Sequence, residues 1–385
     1  VPYQMPQQSP KPQPRKPQPK PNRQKPTSSK PQPAPTSPIK LQPQQSLKAS
    51  AYTELTADLQ ICRLINGMWQ VSGSHGTIMP QRAIAAMYKY HQAGFNCWDL
   101  ADHYGPAEDF IGAFRRKLKA DRLDDGPHAS KAFTKWVPKP GGGNISSITV
   151  TEKIQLALRR MGQAQLDLLH FHWWDYEDKR YLDALKHLTD LQAAGKIRHL
   201  GLTNFDTEHL QIVLDAGIPI VTNQIQFSLL DQRPLVSMSE LCQQHDIKLL
   251  AYGTICGSFI SSDFLGKPDL SRFQLNTASL RKYKNIIEAW GGWALFQELL
   301  STLKTIADKH SVSISNVASR YVLEQPAVAG VIIGARLGVS EHIRDNARIF
   351  DFELDAVDRE MIYAICDRSN DLFKYLGDCG SEYRG

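Results

Sequence analysis

Four side chains in the middle of this sequence could together move a proton: Asp99, Tyr104, Lys135 and His172. The first two belong to WDLADHYG (98–105), where an apolar run, AGFNCW, opens onto titratable groups just before a helical pattern, GPAEDFIGAF. A tyrosine, with an ordinary pKa of about 10, becomes a useful acid near neutrality when a neighbouring cation stabilises its phenolate. Lys135, in SKAFTKW, supplies such a cation. Asp99 would pair with it and keep it charged and placed, because an isolated buried ammonium tends to lose its proton. His172, closing LDLLHFH, would hydrogen-bond an oxygen that gains negative charge, orient its carrier or assist proton transfer.

Each of these groups has a plainer reading. Asp99 alone is an ordinary turn residue at a strand end, and it gains meaning from Tyr104 five residues on. Lys131 competes with Lys135, but Lys135 lies at the C-terminal end of its strand. Period-two alternation places His170 on the same strand face as His172 and one layer deeper, where an interior histidine satisfied by its neighbours is expected. By the same parity Cys97 lies below Asp99 as packing, and Asp102 and His103 read as loop residues.

Bringing such groups together needs strands that end side by side. From about residue 59 the sequence alternates between strand and helix patterns. The strands read LQICRLINGMW, FNCWDLA, SKAFTKW, LDLLHFH, RHLGLTNF, PIVTNQIQF, IKLLAYGT and VAGVIIGAR. Helical stretches follow them, among them PQRAIAAMYKYHQAG, TEKIQLALRRMG and WALFQELLSTLKTIADKH. Strict alternation implies a parallel sheet, and eight units over roughly 290 residues predict a closed (β/α)8 TIM barrel, an α/β fold, with an open doubly wound sheet as the alternative. Neither GxGxxG nor GxxxxGK[ST] occurs, and GGG at 141–143 lacks the rest of either motif. A barrel carries its chemistry at the C-terminal strand ends. Those ends supply Gly67, Met68 and Trp69, then Asp99 with Tyr104, Lys135 with Trp136, His172 with Trp173 and Trp174, Thr203 with Asn204, Gln224, Tyr252 and Arg336.

On these residues the chain resembles the aldo-keto reductase superfamily. WDLADHYG is similar to its D-x-A-x-x-Y-G signature, AFTK to its lysine strand and LDLLHFHW to its histidine strand. GKIRHLGLTNF, TNQIQFSLLDQRP and GVIIGAR…HIRDN resemble its cofactor-binding segments, and the match runs in order from about residue 59 to 352. The resemblance implies NADPH-dependent reduction of an aldehyde or ketone, with Asp99, Tyr104, Lys135 and His172 as the catalytic set. It implies nicotinamide contacts from Thr203, Asn204 and Gln224 and stacking on Tyr252, although AYGTICG departs from the commoner A-Y-S-P-L-G. Gly67 and Met68 join the cofactor residues, and Asn346 matches an adenine contact. Arg336, His342 and Arg344 are alternatives for the 2′-phosphate, with a helix start near Ser340 adding backbone donors. Trp69, Trp136 and Trp173 would wall the substrate pocket. Potassium-channel β subunits resemble the same family, so a non-catalytic NADP-binding regulatory subunit is the alternative.

Composition frames the rest. The formal charge of +6 belongs to residues 1–53, which carry nine Lys/Arg, no Asp or Glu and 14 of the 23 prolines. The remainder holds 36 basic against 39 acidic residues, which gives no electrostatic footprint for nucleic acid. Residues 1–53 read as a disordered Pro/Gln/Lys-rich tail before a barrel domain at 54–385. Three readings fit that tail: a plain solvated extension, a transit segment that directs the chain to an organelle such as a plastid rather than the cytoplasm, and a PxxP ligand for an SH3-type partner. No apolar run of about eighteen residues suits a membrane span. The six scattered cysteines show neither CxxC pairing nor metal spacing. Residues 255–293, rich in aromatics, read as a long structureless insert that folds over the cofactor as a lid. The final GDCGSEYRG either crosses the barrel rim or frays.

Overall fold

A computed structural model describes residues 47–73, 77–271 and 274–384. An antiparallel hairpin comes first, β1 (Tyr52–Thr56) and β2 (Leu59–Cys62), with Tyr52 opposite Cys62. The eight strands that follow are β3 (Leu64–Gly67), β4 (Cys97–Asp99), β5 (Lys131–Trp136), β6 (Leu166–Phe171), β7 (Ile197–Thr203), β8 (Ile220–Gln226), β9 (Lys248–Tyr252) and β10 (Val328–Gly334). They pair in parallel in chain order, and β10 returns to β3, so the sheet closes into a barrel. The expected fold is therefore present, and the doubly wound alternative is excluded by closure.

Among the described residues twelve α-helices accompany the strands. In chain order they are α1 (Pro80–Gln92), α2 (Ala107–Ala120), α3 (Ser147–Met161), α4 (Arg180–Ala193), α5 (Thr207–Asp215), α6 (Met238–Gln244), α7 (Ala278–Trp290), α8 (Gly292–His310), α9 (Ile314–Leu323), α10 (Ile343–Ala347), α11 (Ala356–Cys366) and α12 (Leu372–Leu376). Local chemistry sets several boundaries. Ser146 accepts from the Thr149 amide to start α3, Asp206 does the same for α5 through His209, and Pro80 occupies the first turn of α1.

Three differences from the sequence reading have physical causes. The run LQICRLINGMW is two strands: Arg63 breaks it and donates to the carbonyls of Leu323 and Ala329. Both halves are apolar and buried, so hydrophobicity alone marks no break. The hairpin reaches β7 through Asp58, 2.7 Å from His199 Nε2, so it lies at the N-terminal end of the barrel, away from the strand ends. Residues 255–293 are not structureless. The Thr277 hydroxyl caps α7, whose Tyr283, Ile286, Ile287 and Trp290 are buried. The boundary drawn at residue 53 falls inside β1. The transit and PxxP readings rest on residues of which 1–46 lie outside those described, and Phe273 of the insert does too.

The barrel interior carries a polar layer beneath the strand ends. His170 Nε2 meets Thr222 Oγ1 at 3.1 Å, and Gly201 leaves room for that contact. A Cβ at Gly201 would stand 2.1 Å from the Thr222 hydroxyl and 2.8 Å from the His170 ring. Burial, with Lys135 nearby, holds His170 neutral, as expected of an interior histidine. Cys97 is likewise packing: its sulfur meets the Cys62 amide, and burial pushes its thiol up to about 12. Among the described residues no helix is long and apolar enough to cross a membrane, and no cluster of His, Cys, Asp or Glu could hold a metal ion.

Candidate active site

Register brings the predicted groups together. Asp99 ends β4 and Lys135 lies near the end of β5, paired with His170 of β6, so these side chains and His172 come from three neighbouring strands. The Asp102 amide donates to the Lys135 carbonyl and the Tyr104 amide to the Ala101 carbonyl, which folds the loop back over the barrel end. The Lys135 ammonium contacts both Asp99 oxygens, at 2.8 and 2.7 Å, and the Leu100 carbonyl at 2.8 Å. Gln224 Nε2 donates to Asp99 Oδ1 at 2.7 Å. The pair is 4% and 6% exposed, so its attraction is weakly screened, and removing either partner would leave an uncompensated charge in the core.

The Tyr104 ring lies with its centroid 5.1 Å from the Lys135 nitrogen. Contrary to the sequence expectation, its phenol is not an acid of lowered pKa. Burial, followed by the Asp99 carboxylate and Tyr383, holds it well above the usual 10. Tyr104 is therefore fully protonated, the state a proton donor requires. Burial also pulls Lys135 below its ordinary range, against the opposing pull of Asp99.

His172 Nδ1 lies 3.2 Å from the Thr203 carbonyl oxygen, so that nitrogen must carry the proton. Burial and then Arg384 lower its pKa to about 3, which keeps the ring neutral. Nε2, buried and without a partner, is then a lone-pair acceptor. It suits an alcohol hydroxyl better than a carbonyl oxygen, a reversal of the sequence expectation that follows from one backbone carbonyl.

The cofactor candidates gather beside this set. Asn204 adopts a left-handed φ of 58°, its amide donates to the Gln224 carbonyl, and its Oδ1 accepts from the Tyr252 hydroxyl at 2.6 Å. Thr203 Oγ1 donates to the Gln224 carbonyl. Two carboxamides and a flat phenol at adjacent strand ends match the donor, acceptor and stacking needs of a nicotinamide, so the residues present fit that group. Gly67 and the buried Met68 lie at the end of β3, where the Met68 amide donates to the Asp99 carbonyl. Beyond β10, Arg336, His342 and Arg344 are exposed and Asn346 is half-buried in α10. That helix begins at Ile343, three residues after the expected start, and is only one turn long.

The tryptophans divide differently from expectation. Trp69, half-buried, follows β3 in a short 3-10 turn at the strand-end face. Trp136 points to the outside of the barrel, 5.3 Å from Phe171, and lines a cavity of about 210 Å3 with Ile154 and Ala157 of α3. Trp173 is buried beside Phe171 and Tyr181, its indole donating to the carbonyls of Asp175 and Asp178. Neither therefore walls the mouth. Trp174 does, with its ring edge-on to His172 at 4.4 Å. Strand parity after His172 is the signal that separates Trp173 from Trp174.

Three residues at the mouth had no place in the sequence-derived site. Lys282, from α7, donates to the Tyr383 hydroxyl at 2.7 Å. Tyr383 lies edge-on to His172 at 5.9 Å, and the Arg384 guanidinium lies 4.0 Å from the Tyr176 ring. Their separation along the chain hid them.

Comparison with known proteins agrees with this architecture. The sequence model of the Aldo/keto reductase family matches residues 63–367. Flagellar radial spoke protein 5 of Chlamydomonas reinhardtii is 28% identical over 260 residues, 58% of this chain but only 49% of that protein, so this chain spans about half of its length. The NADH-specific methylglyoxal reductase of Escherichia coli is 22% identical over 334 residues, 80% of this chain and 97% of that protein. Among solved structures, a glycerol dehydrogenase from Gluconobacter oxydans superposes with a TM-score of 0.66 at 21% identity, over 86% of this chain and 98% of that one. An aldo/keto reductase from Klebsiella pneumoniae in complex with NADP and acetate gives 0.59 at 20%, over 82% and 95%. With the barrel, the strand-end set and a family match over most of its length, the chain belongs to the aldo/keto reductase family.

Proposed function

We propose that this protein is an NADPH-dependent reductase that converts an aldehyde or ketone to the alcohol. One observation carries the reading: a sealed Asp99–Lys135 pair, 2.7 Å apart, lies beneath a protonated Tyr104 and beside a buried His172 with a free ring nitrogen. The cofactor, when bound, supplies the hydride. The chain's own groups handle everything else. Asn204, Gln224 and Tyr252 would hold the nicotinamide, and Arg336, His342 or Arg344 the 2′-phosphate. Relatives named as reductases, the Escherichia coli methylglyoxal reductase among them NADH-specific, support the reaction class, and a solved neighbour that holds NADP supports the cofactor.

As the carbonyl oxygen gains an electron pair, Tyr104 gives it the phenolic proton. The phenolate left behind faces the Lys135 charge, which Asp99 fixes in place. His172 Nε2 accepts from the hydroxyl just formed and so orients the alcohol. Trp174 and Tyr252 keep water from the reacting centre. NADPH consumption with a panel of aromatic and aliphatic aldehydes and ketones tests this reading. Tyr104→Phe should lower turnover about 10²–10⁴-fold while NADPH affinity is unchanged. Tight NADPH binding with no turnover of any carbonyl would overturn the proposal.

A further inference from the structure

Beyond α12 the chain crosses the mouth of the barrel and is anchored at every step. The Asp378 carboxylate accepts from the Thr207 amide at 2.8 Å, and Cys379 is buried. Gly380 then passes over Asn204 so closely that a Cβ would stand 2.1 Å from the Asn204 carbonyl oxygen. Its φ of +78° is one that a side chain would also resist. Glu382 pairs with Arg233 at 3.0 Å, and Asp231 grips the same guanidinium through two further bonds of 2.8 Å. Arg384 donates to the carbonyls of Asn204 and Trp173, and its Nε is buried without a partner.

The crossing engages the groups that a nicotinamide would need. The Tyr383 hydroxyl lies 3.2 Å from that of Tyr252 and accepts from Lys282, whose ammonium is 5.1 Å from the Tyr252 ring. Tyr252 in turn holds Asn204 Oδ1, and Gln224 holds Asp99. A cation and a phenol thus lie beside the ring on which the nicotinamide is expected to stack, and the Arg384 guanidinium lies on the backbone carbonyl of its partner Asn204.

We propose that residues 377–384 form a strap that occupies the nicotinamide end of the site in the resting protein, and that NADPH binds only when Tyr383 and Arg384 leave it. This rests on the reductase reading. The strap is held by local contacts to an already closed barrel, so it can open without global unfolding. If only a fraction of molecules is open, the apparent Kd for NADPH is raised by the inverse of that fraction.

The test measures NADPH affinity calorimetrically on the full chain and amide exchange across residues 377–384. The double variant Tyr383→Ala/Arg384→Ala should bind NADPH at least about tenfold more tightly than the wild type. Gly380→Ala, which lifts the crossing but keeps both occupants, should shift affinity the same way, and NADPH should speed exchange of the strap in the wild type. Equal or weaker binding by both variants, or protection of the strap by NADPH, would overturn the proposal and make the segment a fixed wall. Failure of NADPH to bind the wild type and both variants, with far-UV circular dichroism unchanged, would overturn the cofactor reading and the strap together, so the two failures are distinguishable.

Discussion

The mouth of the barrel holds two tyrosine–lysine pairs, and they are built in opposite ways. On the floor, Lys135 lies between both oxygens of Asp99 and the Leu100 carbonyl, with Tyr104 near but not bonded to it through any of these three contacts. On the roof, Lys282 donates directly to Tyr383 and lies within 5.3 Å of the Tyr252, Tyr283 and Tyr383 rings. The floor cation is fixed by an ion pair inside a closed ladder of strands. The roof cation meets an aromatic cage that depends on a segment docked from about a hundred residues away. The floor charge is fixed by the strand ladder that holds both of its partners, whereas the roof charge meets a hydroxyl on a docked segment and can exchange partners when that segment leaves. Constancy suits the proton-transfer floor and release suits a gate.

Breaking the floor should have the larger consequence. Lys135→Met leaves Asp99 charged and unpaired in the barrel, at a cost of about 3–5 kcal/mol. The expected result is a lower urea midpoint together with loss of turnover. A midpoint unchanged from wild type would mean that the pair does not anchor the barrel end.

Acid probes the same floor more gently. His172 is held neutral down to about pH 3 by burial and then by Arg384, against an ordinary value near 6.5. The unfolded chain binds that proton first, so the stabilisation is complete above about pH 6.5 and is lost as pH falls toward 3. His170, pulled down in the same direction, adds to the effect. Urea midpoints should therefore drop across this window, and His172→Asn should flatten the slope. A steeper slope in the variant would place the titration elsewhere.

The roof should answer most weakly in global stability. Glu382→Gln removes one clamp on Arg233 but keeps a hydrogen-bonding side chain there and leaves the Asp231 pair, so the urea midpoint should fall by less than that of Lys135→Met. Exchange of amides 377–384 should nevertheless quicken. A global loss comparable to that of Lys135→Met would make roof and floor one cooperative unit.

Much of this molecule was legible in order along the chain. Strand–helix alternation repeats eight times because each strand must be covered by a helix before the next can pair, and that periodicity predicts the barrel. Asp99, Lys135 and His172 occur at strand ends, so parallel register alone makes them neighbours. Trp173 and Trp174 differ by one residue, and only the direction of each side chain after the strand decides which reaches His172. The apolar run at 59–69 could not reveal that Arg63 divides it, because burial on both sides erases the pattern. The aromatic insert concealed α7 since its buried face mixes tyrosine, isoleucine and tryptophan within a loop-like composition.

The sequence by itself determined the barrel, the face that carries chemistry and the residue types that meet there, because local periodicity and nearest-neighbour strand pairing act over short distances. Three things were decided only by tertiary structure. Burial, and then the Asp99 carboxylate, keep Tyr104 protonated. The Thr203 carbonyl selects the tautomer of His172. Residues 377–384 return to the mouth across a separation that no local pattern encodes. Each depends on which charges and carbonyls come within about 3 Å in a low-dielectric interior, and that is a property of the folded packing alone.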